Sequence, residues 1–154
     1  MQNSTRPLTF ILKEFNQLDL CELYSLLQLR NEVFVVEQNC PYQDLDNKDF
    51  VAHHLLIYSQ EELVAYARLF RSGISFAEAS IGRIITSKKV RSSGMGKILM
   101  EKSIQSLYEL YGVQPIRIGA QCYAIPFYQK FGFETNGDMY LEDGIEHIEM
   151  CKKN

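Results

Sequence analysis

Between Ile81 and Met100 the chain reads IGRIITSKKVRSSGMGKILM. An apolar run short enough for a strand passes through a basic link into Arg91-Ser-Ser-Gly94-Met-Gly96, and an amphipathic run follows at once. Strand, glycine turn and helix in this order, with a further apolar run at Ile116–Ala120, commit the chain to one strand-helix-strand unit in its middle. Glycines let backbone approach a ligand closely, and the N–H groups of a first helical turn form an anion site suited to phosphate or pyrophosphate. Arg91 and Lys97 add positive charge nearby. The segment lacks the Gly-Lys-Ser/Thr of a nucleoside-triphosphate loop and the G-x-G-x-x-G of dinucleotide enzymes. Taken by itself, such a pair of glycines at a helix start is more often just a tight turn.

The remaining elements follow from periodicity. Thr9–Phe15 has the β-branched and aromatic residues of a strand. From Asp19 the period becomes helical, with Leu20, Leu23, Tyr24, Leu27 and Phe34 on the repeat and Asp19 and Glu22 spaced as a capping box. This helix is expected to reach about Val33. Cys40-Pro41 then opens an irregular stretch, Asn39–Asp49, that carries Asp44, Asp46 and Asp49. It is either a binding loop or solvated surface. His54–Tyr58 and Leu63–Phe70 read as two strands joined by Ser59–Glu62, a length suited to a hairpin. Ile81–Thr86 is a strand, and a helix beginning near Gly94 runs through Met100, Ile104, Leu107 and Tyr111 to a C-terminal glycine, Gly112. Ile116–Ala120 is a strand and Pro126–Phe131 a short helix followed by Gly132. Met139–Leu141 and Ile145–Cys151 close the chain as strands. About seven strands and three helices make an α+β fold with a mixed, mostly antiparallel sheet.

With 154 residues the chain fits one domain, residues 1–154, on a scale of roughly 150 residues per domain. An apolar fraction of 46% and a charged fraction of 23% suffice for a real core and exclude a disordered acidic chain. The net charge of -3, with no run of like charges, argues against nucleic acid as a partner. No apolar stretch reaches about 18 residues and no basic start precedes an apolar segment, so neither membrane spanning nor secretion is expected. Cys21, Cys40, Cys122 and Cys151 have no C-x-x-C spacing, which points to reduced thiols in the cytoplasm and to no metal site.

About thirty residues beyond the glycine turn comes Ala124-Ile-Pro-Phe127-Tyr128-Gln-Lys-Phe131-Gly132-Phe133. R-x-x-G-x-G at Arg91, Gly94 and Gly96, followed at this spacing by A-x-x-F-Y-x-x-x-G-F, resembles the GNAT acyl-CoA N-acyltransferases. LLQLRNEVFVVEQNCPYQDLD (Leu26–Asp46), ELVAYARLF, GRIITS, GAQ, FYQKFGF and EDGIEHIEM resemble the ElaA-like branch of that superfamily.

The resemblance implies a twisted mixed sheet flanked by helices, with acetyl-CoA as acyl donor and an amine as acceptor. It implies that backbone around Arg83, Ile84 and Ile85 pairs with the pantetheine arm, and that the amides of Arg91, Ser92, Ser93, Gly94, Met95, Gly96 and Lys97 hold the pyrophosphate. Tyr128 matches the position that protonates the departing thiolate, although a packed core tyrosine is the alternative. Pro126 departs from the pattern, since many members carry a cofactor-contacting Asn near this point. An ammonium acceptor needs a route for its proton. His147 is favoured, with Glu37 and His54 as the other candidates, and all three are expected on the substrate side. Glu37 is equally able to pair with Arg30. The acidic loop, with Glu142, Asp143 and Glu146, points to a cationic acceptor. The alternatives are a non-catalytic acyl-CoA-binding or interaction module and a nucleotide binder on the same turn. Whether the chain is a monomer or a homodimer stays open.

Overall fold

The computed structural model describes residues 6–154. Seven strands form one mixed sheet: β1 (Leu8–Glu14), β2 (His53–Ser59), β3 (Glu62–Phe70), β4 (Ala79–Thr86), β5 (Ile116–Gln121), β6 (Phe133–Glu142) and β7 (Ile145–Lys152). Their order is β1-β2-β3-β4-β5-β7-β6. The helices are α1 (Leu20–Arg30), α2 (Met95–Tyr111) and α3 (Ile125–Gln129). The fold is α+β, as expected, and β4 and β5 are the parallel pair of the strand-helix-strand unit, in register at Ala79↔Ile116 and Ser80↔Arg117. No helix among the described residues is long and apolar enough to cross a membrane.

The chain divides into two compact units: the chain up to Arg68 together with Arg83–Leu99, and Leu69–Gly82 together with Met100–Asn154. In the first unit, β1 and β2 pair antiparallel from Leu8↔Ser59 to Glu14↔His53. The Asp19 carboxylate accepts the Glu22 N–H at 2.7 Å and the Glu22 carboxylate accepts the Asp19 N–H at 3.0 Å, the expected capping box at the start of α1. Leu26, Leu29 and Val33 bury their side chains against Leu56, Tyr66 and Ile85. The helix does not end at Val33. Its regular turns stop at Arg30 and continue as a wider π-helical segment, Asn31–Glu37, of the kind found mostly as short insertions at functional positions.

The 39–52 loop is organised by arginine. Arg30, at 0% exposure, donates from Nε to Asp44 at 2.8 Å and from Nη1 to Asp49 at 2.6 Å. Arg68 donates from Nη1 and Nη2 to Asp46, both at 2.8 Å, and from Nη1 to Asp49 at 3.0 Å. Arg83 donates from Nε to the Asp44 carboxylate at 2.8 Å and from Nη2 to its carbonyl at 3.0 Å. The three carboxylates are therefore neither a solvated face nor an unoccupied receptor for a cationic acceptor, because protein guanidinium groups already hold them.

In the second unit, β5 pairs with β7 from Ile116↔Lys152 to Gln121↔His147. Ile81, Met100, Leu107, Ile116, Phe133 and Met150 are among its most buried side chains, each at 1% exposure or less. β6 begins at Phe133, six residues before the expected Met139, and only Phe133 of its ten residues is buried. A polar edge strand with no alternation leaves no periodic trace in the sequence.

Burial raises the Asp46 pKa, but the hydrogen bond and charge of Arg68 win and bring it down to about 2. Against an unfolded value of about 3.9, this depressed pKa stabilises the fold above pH 4 and the contribution is lost as pH falls toward 2. Urea unfolding from pH 6 to pH 2 should show that loss, and the Asp46→Asn variant should lose roughly 1–2 kcal/mol at pH 6 with a flatter acid limb.

Candidate active site

β4 carries a backbone irregularity at its midpoint. Arg83 is left-handed, with φ 49, a conformation uncommon outside glycine and frequent at functional positions. Its side chain is anchored on Asp44 and stands over the Phe34 ring at 5.8 Å. Ile84 and Ile85 continue the strand beyond it, with Ile85 4% exposed. Past β4, Ser87 N–H donates to the Val64 carbonyl at 2.7 Å, and Val90 N–H returns to the Ser87 carbonyl at 3.0 Å. The chain turns through left-handed Ser92 and Gly94, with φ 67 and 86, directly into α2.

The Ile98 N–H bonds back to the Gly94 carbonyl at 3.2 Å. The amides of Gly94, Met95 and Gly96 precede that bond and have no acceptor inside the helix, and Arg91, Ser92, Ser93, Gly94 and Lys97 are exposed. A Cβ on Gly94 would meet no atom within 4 Å. The glycine is needed for its backbone angle rather than for space, since φ 86 is strained for any side chain.

Glu37, expected as a catalytic or substrate-side carboxylate, closes on this turn instead. Arg91 donates from Nη1 and, at 3.0 Å, from Nη2 to the Glu37 carboxylate, and from Nη2 to the Thr86 carbonyl at 3.2 Å. The hydrogen bond from Arg91 holds the Glu37 pKa below its ordinary value. A carboxylate held ionised in this way is a poor proton acceptor. The pairing with Arg30 is also corrected, because Arg30 belongs to Asp44 and Asp49.

His54 is a core residue rather than a substrate-side one. At 0% exposure it donates from Nε2 to the Asp49 carbonyl at 2.9 Å, and Nδ1 accepts from the Tyr66 hydroxyl at 2.6 Å. The carbonyl can only accept, which fixes the tautomer, and burial lowers the His54 pKa and keeps the ring neutral.

In the second unit, α3 starts with Pro126 in its first turn and puts Tyr128 among aromatic neighbours. Phe127 and Phe133 meet the Tyr128 ring edge-on, with centroids 5.2 and 6.2 Å away. No described residue hydrogen-bonds to its hydroxyl, and burial, with a smaller contribution from Tyr123, pushes the phenol well above its ordinary pKa. His147 on β7 is 8% exposed and lies opposite Gln121 on one side and Tyr140 on the other. Its Nδ1 donates to the Ile145 carbonyl at 2.8 Å and Nε2 stands 3.5 Å from Glu142. Sequence reasoning missed Tyr140, whose ring stacks on His147 at 5.8 Å. The missing signal is the β6 register, which periodicity in so polar a strand does not carry. No three His, Cys, Asp or Glu side chains among the described residues are grouped to hold a metal ion.

A family model described as acetyltransferase (GNAT) domain matches residues 21–154. The chain belongs to the GNAT family. Within it, the chain is 43% identical over 140 residues to Protein ElaA of Escherichia coli, covering 90% of this chain and 92% of that one. The crystal structure of Escherichia coli ElaA superposes with a TM-score of 0.89 at 40% identity, covering 96% of this GNAT chain and all of the other. An acyl-CoA N-acyltransferase from Pseudomonas aeruginosa superposes with a TM-score of 0.90 at 40% identity, over 95% and 99% of the two chains. The chain is thus an ElaA-like GNAT protein with the acyltransferase fold.

The turn can be tested for its backbone demand without any ligand. Gly94→Ala places a side chain at φ 86 and should cost roughly 1–2 kcal/mol in urea unfolding. Glu37→Gln, which removes a partly exposed ion pair, should cost about 1 kcal/mol or less.

Proposed function

We propose that residues 1–154 act as one acetyl-CoA-dependent N-acyltransferase domain, moving an acetyl group from the thioester to an amine by direct attack. The observation that carries this reading is the 91–97 turn. Its left-handed Ser92 and Gly94 lead into a helix whose first amides lack intrahelical acceptors, on a chain of the GNAT family. Those amides are suited to the pyrophosphate of CoA. In this reading the Arg91 guanidinium, engaged by Glu37 and the Thr86 carbonyl, shapes the turn, and backbone supplies the phosphate contacts. Backbone at the left-handed Arg83, and at Ile84 and Ile85 just past it, serves the pantetheine arm. When bound, acetyl-CoA supplies the activated acyl carbon.

Tyr128 is assigned to the leaving thiolate. A phenol with so firmly held a proton stabilises a thiolate chiefly by donating a hydrogen bond, since complete transfer from a raised pKa is uphill. His147 is assigned to the acceptor side as proton acceptor. With Nδ1 donating to Ile145, the neutral ring presents its lone pair at Nε2. None of the four cysteines is in a disulfide, in keeping with a cytoplasmic setting.

Calorimetric titration with acetyl-CoA, CoA and ATP tests the carrying observation. Binding of both CoA species in preference to ATP is expected, and no CoA binding would remove the reading. Thiol release with a panel of primary amines then tests turnover. Tyr128→Phe should lower kcat by roughly tenfold or more while leaving the Kd for acetyl-CoA within about twofold.

A further inference from the structure

β6 and β7 pair in two registers. From Phe133↔Lys152 to Asn136↔Glu149 the ladder is regular, and it resumes at Tyr140↔His147. Three residues of β6, Gly137 to Met139, face the single Ile148 of β7 between those points. Had the first register continued, Asp138 would lie opposite His147. The bulge removes that carboxylate and substitutes Tyr140. Bulges of this kind re-aim side chains next to sites.

Two contacts hold Tyr140 where the bulge puts it. Its ring stacks on the His147 imidazole with centroids 5.8 Å apart and planes at 26°. Its hydroxyl lies over Gly119 of β5, where a Cβ would come within 3.0 Å of the oxygen. The Gly119 φ lies outside the left-handed range, so a side chain there would disturb the Tyr140 hydroxyl and not the backbone. The GAQ segment and the distant tyrosine are thus parts of one arrangement.

The imidazole beneath is nine-tenths buried and asymmetric. The Ile145 carbonyl takes the Nδ1 hydrogen, and Nε2 lies 3.5 Å from the Glu142 carboxylate, which is 61% exposed. In the neutral ring Nε2 and the Glu142 carboxylate are both acceptors, and an N–H group entering from solvent past Glu142 can donate to the two of them. Burial, then Glu142, Glu149 and Cys122, raise the Tyr140 pKa, so its hydroxyl keeps its hydrogen and offers lone pairs to a donor.

Resting on the N-acyltransferase reading, we propose that Tyr140, Glu142 and His147 form the receptor for the acceptor's ammonium group, with Tyr140 as the orienting residue and Gly119 as the space that admits it. The substrate class is a primary amine, bound as its ammonium ion. One ammonium proton passes to His147 Nε2, and the neutral nitrogen bonds to the thioester carbonyl carbon. The carbon–sulfur bond then breaks, and sulfur takes the nitrogen's second proton. An amide and a free thiol result, with one proton left on His147.

The receptor can be tested without turnover by following the His147 ring Cε1–H signal, assigned by its absence in His147→Gln. Ethylammonium chloride is the probe, and tetramethylammonium chloride, which has no N–H, is the control. Saturable shifts with ethylammonium alone are expected, from a ring whose nitrogen shifts show the Nδ1–H tautomer. The apparent Kd should rise roughly fivefold or more in Tyr140→Phe and in Gly119→Ala. Tyr140→Phe keeps the ring stack and decides the matter if Gly119→Ala fails to fold. Equal affinity in wild type and Tyr140→Phe, equal shifts with tetramethylammonium, or the opposite tautomer would overturn the receptor. Failure of acetyl-CoA to bind would remove the acyltransferase reading while leaving this titration to judge the receptor separately.

Discussion

A guanidinium group with no exposure cannot stay in a protein unless carboxylates and carbonyls surround it, and Arg30 meets that requirement with Asp44 and Asp49. Arg68 shares Asp49 with it, Arg83 shares Asp44, and Arg68 and Arg83 hold Asp46 between them. These contacts tie the end of α1, the 39–52 loop and strands β3 and β4 into one charged cluster. Removing one member leaves another buried and unmatched, which is far costlier than losing a surface ion pair. The kink at Arg83 is anchored by the same cluster, so the backbone proposed to meet the cofactor arm depends on it. His54 closes its inner side, accepting from the Tyr66 hydroxyl and donating to the loop carbonyl of Asp49.

The legible part of this fold was the part written in periodicity. The capping box at Asp19 and Glu22, the strands flanking Ser59–Glu62, and the strand, turn and helix from Ile81 to Tyr111 each formed within a residue or two of expectation, because apolar spacing and capping chemistry are local. The 39–49 stretch was not legible, since nothing local says that its three aspartates will find Arg30, Arg68 and Arg83. The acidic face inferred there disappears once its partners are known. β6 failed for a related reason: a polar edge strand with a bulge has neither alternation nor a fixed count of residues.

The site residues sort along the same line. The 91–97 turn could be read because glycine positions encode backbone angles directly. Glu37, His54 and His147 looked alike in sequence as lone titratable groups, and only their partners separate them. Glu37 is matched by Arg91, and His54 is sealed between Tyr66 and Asp49. Of these three, His147 is the one with a ring nitrogen facing a largely exposed carboxylate.

The arginine–aspartate cluster also bears on the order of events in folding. Its pairs join residues 14 to 39 positions apart, so it can assemble only after the helix and both strands have come together. Docking three arginines before their carboxylates arrive would bury unmatched charge, so we expect the cluster to form late, after the transition state. The hypothesis is that it acts as a latch, slowing escape from the native state without hastening arrival. Stopped-flow kinetics on Asp49→Asn would decide it: the destabilisation should fall on the unfolding rate, and a slowed folding rate with unchanged unfolding would show that the cluster forms early.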